Sequence, residues 1–241
     1  SIVDITNAPS LQQVTFDTTS NTIWHEIKTY KNYAYVVHDG NNSRNEGLVI
    51  VDLSYLPDST KRYNFKGNGS NVTLTTQHTI FIDENGFLYL NGGGVVVNGT
   101  TVNGTAIFDL NPDPLHPVYV GKASIRYVHD CYVRNNILYQ AHSNSPNSNK
   151  FSIWNVQDKT NPVLLLDFST TYSITHNIWL SDDSKSMFVT HESSGQPIEV
   201  YDITDINNLK QLLTFKNTPN EIAIAHNVHV YNDYLVVPYY T

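Results

Sequence analysis

The chain has 241 residues, a formal net charge of −8 at pH 7 and only 14 lysines and arginines, which argues against nucleic acid as a partner. No apolar stretch approaches the ~20 residues that a membrane-spanning helix needs, so we expect no membrane insertion in this segment. A single cysteine, Cys131, excludes an internal disulfide framework, and 16 tyrosines favour strands over helices.

One pattern recurs five times along the chain. A histidine is followed by a short alternating apolar run, a turn rich in Asn, Asp or Gly, and a second apolar run, which is the signature of a β-hairpin. The copies are WHEIKTYKNYAYVVHDG from Trp24, QHTIFIDENGFLYLNGG from Gln77, VHDCYVRNNILYQAHSN from Val128, THNIWLSDDSKSMFVTHES from Thr175 and AHNVHVYNDYLVVPYYT from Ala225. The sequence therefore predicts five similar hairpins with a period of roughly 50 residues.

A second unit follows each of the first four hairpins. It is a strand that ends in Asp or Asn, a polar or proline-bearing turn, and another strand, and its copies begin GLVIVD, GTAIFD, FSIWN and IEVYD. Four strands per repeat is the content of one blade of a β-propeller. We therefore predict blades at approximately 24–66, 77–122, 128–169 and 175–216.

The first residues of the chain align with the second unit, because Ile2-Val3-Asp4 matches Ile50-Val51-Asp52. We therefore expect strands in 1–18 to pair with the last hairpin, 225–241, and to complete a fifth blade. The predicted fold is all-β: a single domain over 1–241, built as a five-bladed β-propeller of four-stranded antiparallel blades, with the ring closed by both termini. The alternative is a fragment of a longer propeller that is cut at both ends.

The strand LVIVD at Leu48 to Asp52 has the variants IVDIT, AIFDL, IWNV and VYDIT, which recur in phase with the His-initiated strands WHEI, THNI and AHNV. These two motifs resemble the LVIVD-repeat proteins, in particular the bacterial surface-protein family called choice-of-anchor B. The resemblance covers essentially the whole chain and implies a secreted or cell-surface β-propeller, usually attached through a separate C-terminal anchoring segment. It carries no biochemical activity that can be transferred to particular residues, so function has to be sought at the site.

Histidines open all five hairpins. The first strand of each blade lines the central channel of a propeller, so we expect five imidazoles at one mouth of the channel: His25, His78, His129, His176 and His226. The second strands end at the same mouth and add a ligand-binding rim of His38, Asp39, Asn91, His142, His191 and Glu192, with Tyr239-Tyr240 at the equivalent place in the last hairpin. Neutral imidazoles are good transition-metal ligands. The sequence therefore predicts a divalent metal, zinc or another transition metal rather than calcium, held by the five ring histidines.

Three functions are compatible with this face. We predict that it binds a metal ion or a small polar ligand, glycan or cell-surface component, without turnover. The first alternative is a metal-dependent hydrolase or lyase, with Glu192 or Asp130 as general base to a metal-activated water. The second is an adhesion or scaffold module in which each repeated histidine is structural and hydrogen-bonds the neighbouring blade.

Several conspicuous residues are expected outside the site. His116 falls in a turn between the third and fourth strands, and His229 points to the opposite side of its strand from His226. Three tryptophans, Trp24, Trp154 and Trp179, are candidates for stacking on carbohydrate, but their alternating positions favour packing between blades. The glycine-rich segment NGGGVVVNGTTVNGT, 91–105, lacks the Lys and the helix of a phosphate loop, so we interpret it as a flexible insertion over the same mouth.

Overall fold

The structure, a computed structural model, describes residues 1–16, 18–19, 22–41, 44–69, 71–144, 146, 148–216 and 220–241. The regular secondary structure of these ranges is almost entirely β-strand, with one short 3₁₀ helix at Ile206–Asn208. Among the described residues, no helix is long and apolar enough to span a bilayer. They divide into two compact units, Ser1–Val102 with Ala106–Val120, and Asn103–Thr105 with Gly121–Thr241.

The strands of the first half form four sheets. An N-terminal pair consists of β1 (Ile2–Asp4) and β2 (Gln12–Thr15). The first four-stranded sheet has the order β3 (His25–Tyr30), β4 (Tyr33–His38), β5 (Leu48–Asp52) and β6 (Lys61–Phe65). A three-stranded sheet joins β7 (Val72–Leu74), β10 (Val95–Val97) and β11 (Thr100–Thr101), with β10 in the middle. The second four-stranded sheet has the order β8 (Thr79–Ile82), β9 (Phe87–Asn91), β12 (Thr105–Asp109) and β13 (Val118–Ala123).

The strands of the second half repeat the four-stranded arrangement twice. The third four-stranded sheet has the order β14 (Asp130–Arg134), β15 (Ile137–His142), β16 (Lys150–Asn155) and β17 (Val163–Ser169). The fourth has the order β18 (Thr175–Leu180), β19 (Ser186–His191), β20 (Ile198–Asp202) and β21 (Lys210–Phe215). Two small sheets follow: β22 (Ile224–Ala225) pairs with β25 (Tyr239–Tyr240), and β23 (His229–Tyr231) pairs with β24 (Tyr234–Val236).

The four complete units predicted from the sequence each form a four-stranded antiparallel sheet. Each predicted hairpin turn contains a residue with left-handed backbone, which Asn and Gly adopt readily. The φ values are 51° at Lys31, 80° at Gly86, 52° at Asn135, 57° at Ser184 and 52° at Asn232. Pairing between 1–18 and 225–241 is not among the strand ladders of the described residues, so the fifth blade and the closure of the ring stay predictions.

The Asp or Asn that ends each third strand has the same role in every copy. Its side-chain oxygen accepts a hydrogen bond from the N–H two residues later, which starts the turn that follows. The pairs are Asp4 with Thr6 (2.8 Å), Asp52 with Ser54 (2.9 Å), Asp109 with Asn111 (2.9 Å), Asn155 with Gln157 (2.8 Å) and Asp202 with Thr204 (2.9 Å). The repeat in sequence is therefore a repeat in structure, and β1 has the turn of a third strand.

Apolar side chains fill the space between successive sheets. In the first unit, Leu48 and Ile50 of β5 and Leu88 of β9 belong to one fully buried cluster, with Phe65 edge-on to Phe108. In the second unit, Phe151 and Phe168 stack at 5.0 Å between ring centroids, and each meets the ring of Tyr201 at 5.7 Å. Both faces of the blade sheets are therefore apolar, which explains the runs of buried residues in β5, β12 and β20.

The glycine-rich segment, which we interpret from the sequence as a flexible insertion, contains regular strands. It forms a hairpin of β10 and β11 in which Val97 pairs with Thr100, and β10 pairs with β7. The two turn residues, Asn98 and Gly99, have φ of 49° and 75°, as an Asn-Gly hairpin turn requires. Asn98 and Gly99 therefore form the turn that joins β10 to β11.

Candidate functional site

Three of the five predicted ring histidines lie side by side in the second unit. His129 immediately precedes β14, His176 is the second residue of β18, and His226 immediately follows β22. The ring centroids of His129 and His176 are 4.2 Å apart, and those of His176 and His226 are 4.3 Å apart. Because the three histidines occupy equivalent positions in consecutive repeats, their row follows directly from the repeat in the sequence.

Glu192 brings a carboxylate to this row. The residue follows β19, and its side chain is 25% exposed. One carboxylate oxygen, Oε2, lies 3.6 Å from His176 Nε2, and the other, Oε1, lies 3.8 Å from His226 Nε2. One ligand atom from each of His129, His176 and Glu192 lies within 4.8 Å of the other two. Two imidazoles and a carboxylate form a donor set that suits zinc and related divalent ions.

The orientation of His129 suits a ligand role. Its Nδ1 lies 3.2 Å from the backbone carbonyl oxygen of His176. A carbonyl only accepts hydrogen bonds, so Nδ1 carries the proton and Nε2 carries the lone pair of the neutral ring. Metal-ligating histidines almost always anchor their other ring nitrogen in this way.

Tyr240 completes the cluster. Its hydroxyl donates a 2.7 Å hydrogen bond to Glu192 Oε1, and its ring lies 5.5 Å from the ring of His226. Partial burial and the carboxylate of Glu192 raise the pKa of Tyr240 to about 12, so the phenol stays a neutral donor at physiological pH. The alignment of the repeats predicts the position of this residue at the end of the hairpin, but its bond to Glu192 is seen only in the structure.

The other two ring histidines belong to the first unit, where each has a polar partner. His78 Nδ1 lies 3.0 Å from Asp39 Oδ2, and the other oxygen of Asp39 accepts a 2.7 Å bond from the Thr22 hydroxyl. His25 Nε2 is hydrogen-bonded to the Thr19 hydroxyl. A single ring of five histidines stays a prediction.

The rim histidines are buried and bonded within the protein. His142 Nδ1 lies 2.8 Å from the Tyr127 carbonyl oxygen, and its Nε2 lies 2.9 Å from the Ser152 hydroxyl. His191 Nε2 lies 2.8 Å from Glu199 Oε2, with both side chains fully buried. These bonds hold the end of each second strand to its own blade, so ligand binding by these side chains stays a prediction.

The remaining rim residues behave similarly in the first unit. His38 is fully buried, with its Nε2 at 3.3 Å from Glu46 Oε2. Asn91 is also fully buried and donates a 3.1 Å hydrogen bond to the Thr79 hydroxyl. Asp39 and Glu192 are therefore the two predicted rim residues whose side chains are appreciably exposed, at 31% and 25%.

The residue after the ring histidine joins neighbouring repeats. Asp130 Oδ2 accepts a 2.6 Å bond from Asn177 Nδ2, and Asn177 Oδ1 accepts a 2.8 Å bond from the N–H of Val228. Glu26, at the same repeat position, accepts a 2.9 Å bond from the N–H of Ile80. The second carboxylate oxygen of Asp130 accepts the N–H of Cys131, so both oxygens of this candidate base are engaged. An acid or amide after four of the five ring histidines, all but His78, is visible in the sequence, but its partner is not.

The buried position of His142 predicts a dependence of stability on pH. Burial lowers the pKa of this histidine from 6.5 to about 4. The unfolded chain therefore binds the proton first, so this contribution to stability is present above about pH 6.5 and is lost as the pH falls toward 4. Between pH 7 and pH 5 we expect the free energy of unfolding to fall by about 2 kcal/mol from this group.

Urea unfolding of the wild type and His142→Asn at the two pH values measures this effect. Asn cannot titrate, so the variant should lose less stability on acidification than the wild type. Gln157→Ala is the matched control, because Gln157 is exposed in the same unit and has no ionisable group, and it should keep the wild-type slope. Equal slopes for the wild type and His142→Asn would contradict the prediction.

No protein-family model matches the chain, and no curated protein matches it. Solved structures do match. The periplasmic gluconolactonase of Pseudomonas aeruginosa is 15% identical with a TM-score of 0.69, and the match covers 95% of this chain and 68% of that one. A functionally unknown protein from Desulfotomaculum acetoxidans is 12% identical with a TM-score of 0.64, over 92% and 64% of the two chains.

A third similar structure is a putative 6-phosphogluconolactonase from Bacteroides uniformis, 13% identical with a TM-score of 0.56, over 83% of this chain and 62% of that one. The chain has a β-propeller-like fold. At these identities the likeness concerns the fold alone. The chain spans less than two thirds of the length of the Desulfotomaculum and Bacteroides structures, at 64% and 62%.

Proposed function

We propose that the chain binds a divalent transition-metal ion through His129, His176 and Glu192, with His226 as a further ligand. The observation that carries the proposal is the convergence of one ligand atom from each of the first three residues to within 4.8 Å of one another. The hydrogen bond from His129 Nδ1 to the His176 carbonyl supports it, because this bond leaves Nε2 as the basic nitrogen of the ring.

The distances around Glu192 favour a shared ion over a direct contact. Its oxygens lie 3.6 Å and 3.8 Å from the nearest histidine nitrogens, which is longer than the 2.7–3.2 Å of a hydrogen bond. Ligand atoms about 2.1 Å from a tetrahedral zinc ion are roughly 3.4 Å apart. Small side-chain movements would therefore bring these atoms to ligand spacing.

A metal titration tests the proposal. Untagged protein is stripped with EDTA, dialysed, and titrated with Co²⁺, whose visible absorption reports coordination by imidazole and carboxylate, and with Zn²⁺ by calorimetry. We expect one ion per chain, with competition between the two metals for one site. Absence of a cobalt spectrum together with absence of zinc binding would refute the proposal.

Tyr240→Phe should weaken this metal site without destroying it. The phenol fixes Glu192 Oε1 through the 2.7 Å hydrogen bond, and loss of such outer contacts typically costs 10–100-fold in metal affinity. We expect zinc affinity to fall by about tenfold. Tyr234→Phe, on an exposed tyrosine of the same hairpin, is the control and should bind zinc like the wild type. Equal zinc affinities of the two variants would show that Tyr240 does not support the metal site.

A second candidate is lactone hydrolysis at the same site. The specific observation is that Glu192 is partly exposed and lies between the histidine row and the phenol of Tyr240. A carboxylate beside a phenol can serve as general base and general acid. In this case the three histidines would hold the metal, which would supply Lewis acidity. Glu192 would accept a proton from the attacking water, and Tyr240 would donate to the ring oxygen that leaves. The names of two similar structures, a gluconolactonase and a putative 6-phosphogluconolactonase, support this reaction class.

A pH-stat assay with glucono-δ-lactone distinguishes binding from turnover. Zinc-loaded wild type that opens the lactone faster than Glu192→Gln at equal metal occupancy would support hydrolysis. Equal rates at equal metal occupancy would contradict lactone hydrolysis and would leave metal binding as the proposed function.

We also infer a secreted or cell-surface protein of the choice-of-anchor B type. The in-phase LVIVD and His-initiated motifs support this, as does the periplasmic source of the gluconolactonase of similar fold. Immunodetection in fractions of the source organism tests it, since recovery in the cytoplasmic fraction alone would contradict it.

We further infer that 1–18 and 225–241 form a fifth blade that closes the ring. The Asx turn at Asp4 supports this inference, because it is the turn of the third strands in the complete repeats. Deletion of 1–18 should then increase hydrogen exchange of the amides in 234–236. Unchanged exchange there would contradict the closure.

A further inference from the structure

Trp24 differs from the other two tryptophans in its exposure. Trp154 is buried, and Trp179 packs between the rings of Tyr132 at 4.7 Å and His229 at 4.6 Å, as expected for side chains that pack between blades. Trp24, immediately before β3, is 40% exposed. A large aromatic face is therefore presented to solvent in the first unit.

Polar groups that can bond hydroxyls lie beside this ring. The centroid of the His78 ring is 5.9 Å from that of Trp24, at an angle of 53°. His78 Nδ1 lies 3.0 Å from Asp39 Oδ2, and Thr22 donates to Asp39 Oδ1 at 2.7 Å. The backbone N–H of Trp24 bonds the same threonine hydroxyl at 3.1 Å, so hydrogen bonds connect the aromatic residue to the carboxylate.

The Asp39–His78 pair, which joins two neighbouring repeats, is also more open than the His191–Glu199 pair, which joins two strands of one repeat. The side chains of His78 and Asp39 are 17% and 31% exposed, whereas both members of the His191–Glu199 pair are fully buried. The partial exposure of the Asp39–His78 pair leaves it within reach of a ligand.

We propose that Trp24, Asp39 and His78 form a binding site for a neutral saccharide. A sugar ring has an apolar face that stacks on an indole and hydroxyls at its edge that donate to a carboxylate and bond an imidazole. The acidic chain, with a net charge of −8, and the Asp39 carboxylate disfavour phosphorylated or uronic sugars. The site lies within the first unit and does not depend on the metal proposed for the second.

Titration of the metal-free protein with sugars tests the proposal. The protein is kept in EDTA and titrated with the methyl glycosides of glucose, galactose, mannose and N-acetylglucosamine, and with maltotriose and cellotriose. We expect a saturable change in tryptophan fluorescence with at least one of these sugars. Absence of binding by every sugar of this panel would overturn the proposal.

Two variants then locate the binding site by ligand-observed NMR. Trp24→Ala should weaken binding of the selected sugar at least tenfold, and Asp39→Asn, which keeps the size of the side chain, at least threefold. His116→Ala is the control, because its pair with Asp113 is exposed but belongs to another part of the first unit. Sugar binding that survives both Trp24→Ala and Asp39→Asn would overturn the assignment, and thermal melting confirms that each variant is folded.

Discussion

Glu199→Ala is expected to lower the free energy of unfolding by about 3–5 kcal/mol, the combined cost of a lost buried hydrogen-bond acceptor and of a cavity. Glu199 is fully buried and accepts hydrogen bonds from His191 Nε2 at 2.8 Å, Gln211 Nε2 at 2.9 Å and the N–H of Thr171 at 3.3 Å. Alanine would leave three polar groups without this acceptor and would also leave a cavity in the fourth four-stranded sheet.

Urea denaturation at pH 7 measures this loss. Glu221→Ala is the matched control, because Glu221 is an exposed glutamate of the same unit and its loss should change stability by less than about 0.5 kcal/mol. A cost below about 1 kcal/mol for Glu199→Ala would mean that water or a rearranged side chain satisfies the three donors.

His176→Ala is expected to abolish metal binding, with a fall in zinc affinity of at least 100-fold. His176 is the central ring of the row, 4.2 Å and 4.3 Å from the rings on either side, and its Nε2 faces Glu192 at 3.6 Å. Without it, His129, His226 and Glu192 remain, one fewer than the four ligands that a structural zinc site normally has.

Zinc calorimetry and cobalt spectroscopy on His176→Ala test this prediction. His116→Ala removes a histidine that is 74% exposed and controls for non-specific surface binding. If the two variants bind zinc equally, the row of histidines is not the metal site. His176→Gln, which keeps most of the volume, separates loss of the ligand from loss of packing.

The repeat can be recognised in the sequence because its signals are local. Alternation of apolar residues has a period of two in strands, and the turn residues Lys31, Asn135 and Asn232 lie where left-handed backbone is needed. Equivalent histidines fall into a row because they share one position in successive repeats. The spacing of the repeats predicts a common location for His129, His176 and His226, and their rings lie 4.2 Å and 4.3 Å apart in sequence order.

The partners of the second-strand histidines cannot be predicted in this way, because they depend on contacts across the blade. His142 ends its strand and is expected at an open rim, yet Tyr127 and Ser152 occupy both of its ring nitrogens. Their positions depend on the path of the preceding loop and on the register with β16. The sequence also does not distinguish Trp24 from the two packed tryptophans. Trp24 differs from them in its exposure, which cannot be deduced from the alternation of apolar residues.

The hydrogen bonds from Asp130 to Asn177 and from Asn177 to Val228 have a consequence for how the site could change. Each of these bonds joins one repeat to the next close to its ring histidine. The spacing of the three histidines is therefore fixed by contacts between repeats and not by the surface loops. Substitutions or insertions in the surface loops can therefore alter what reaches the row while leaving the distances between imidazoles intact. The positions of the three imidazoles are thus tied to the repeats, whereas Glu192, in the loop between β19 and β20, belongs to the part that can vary.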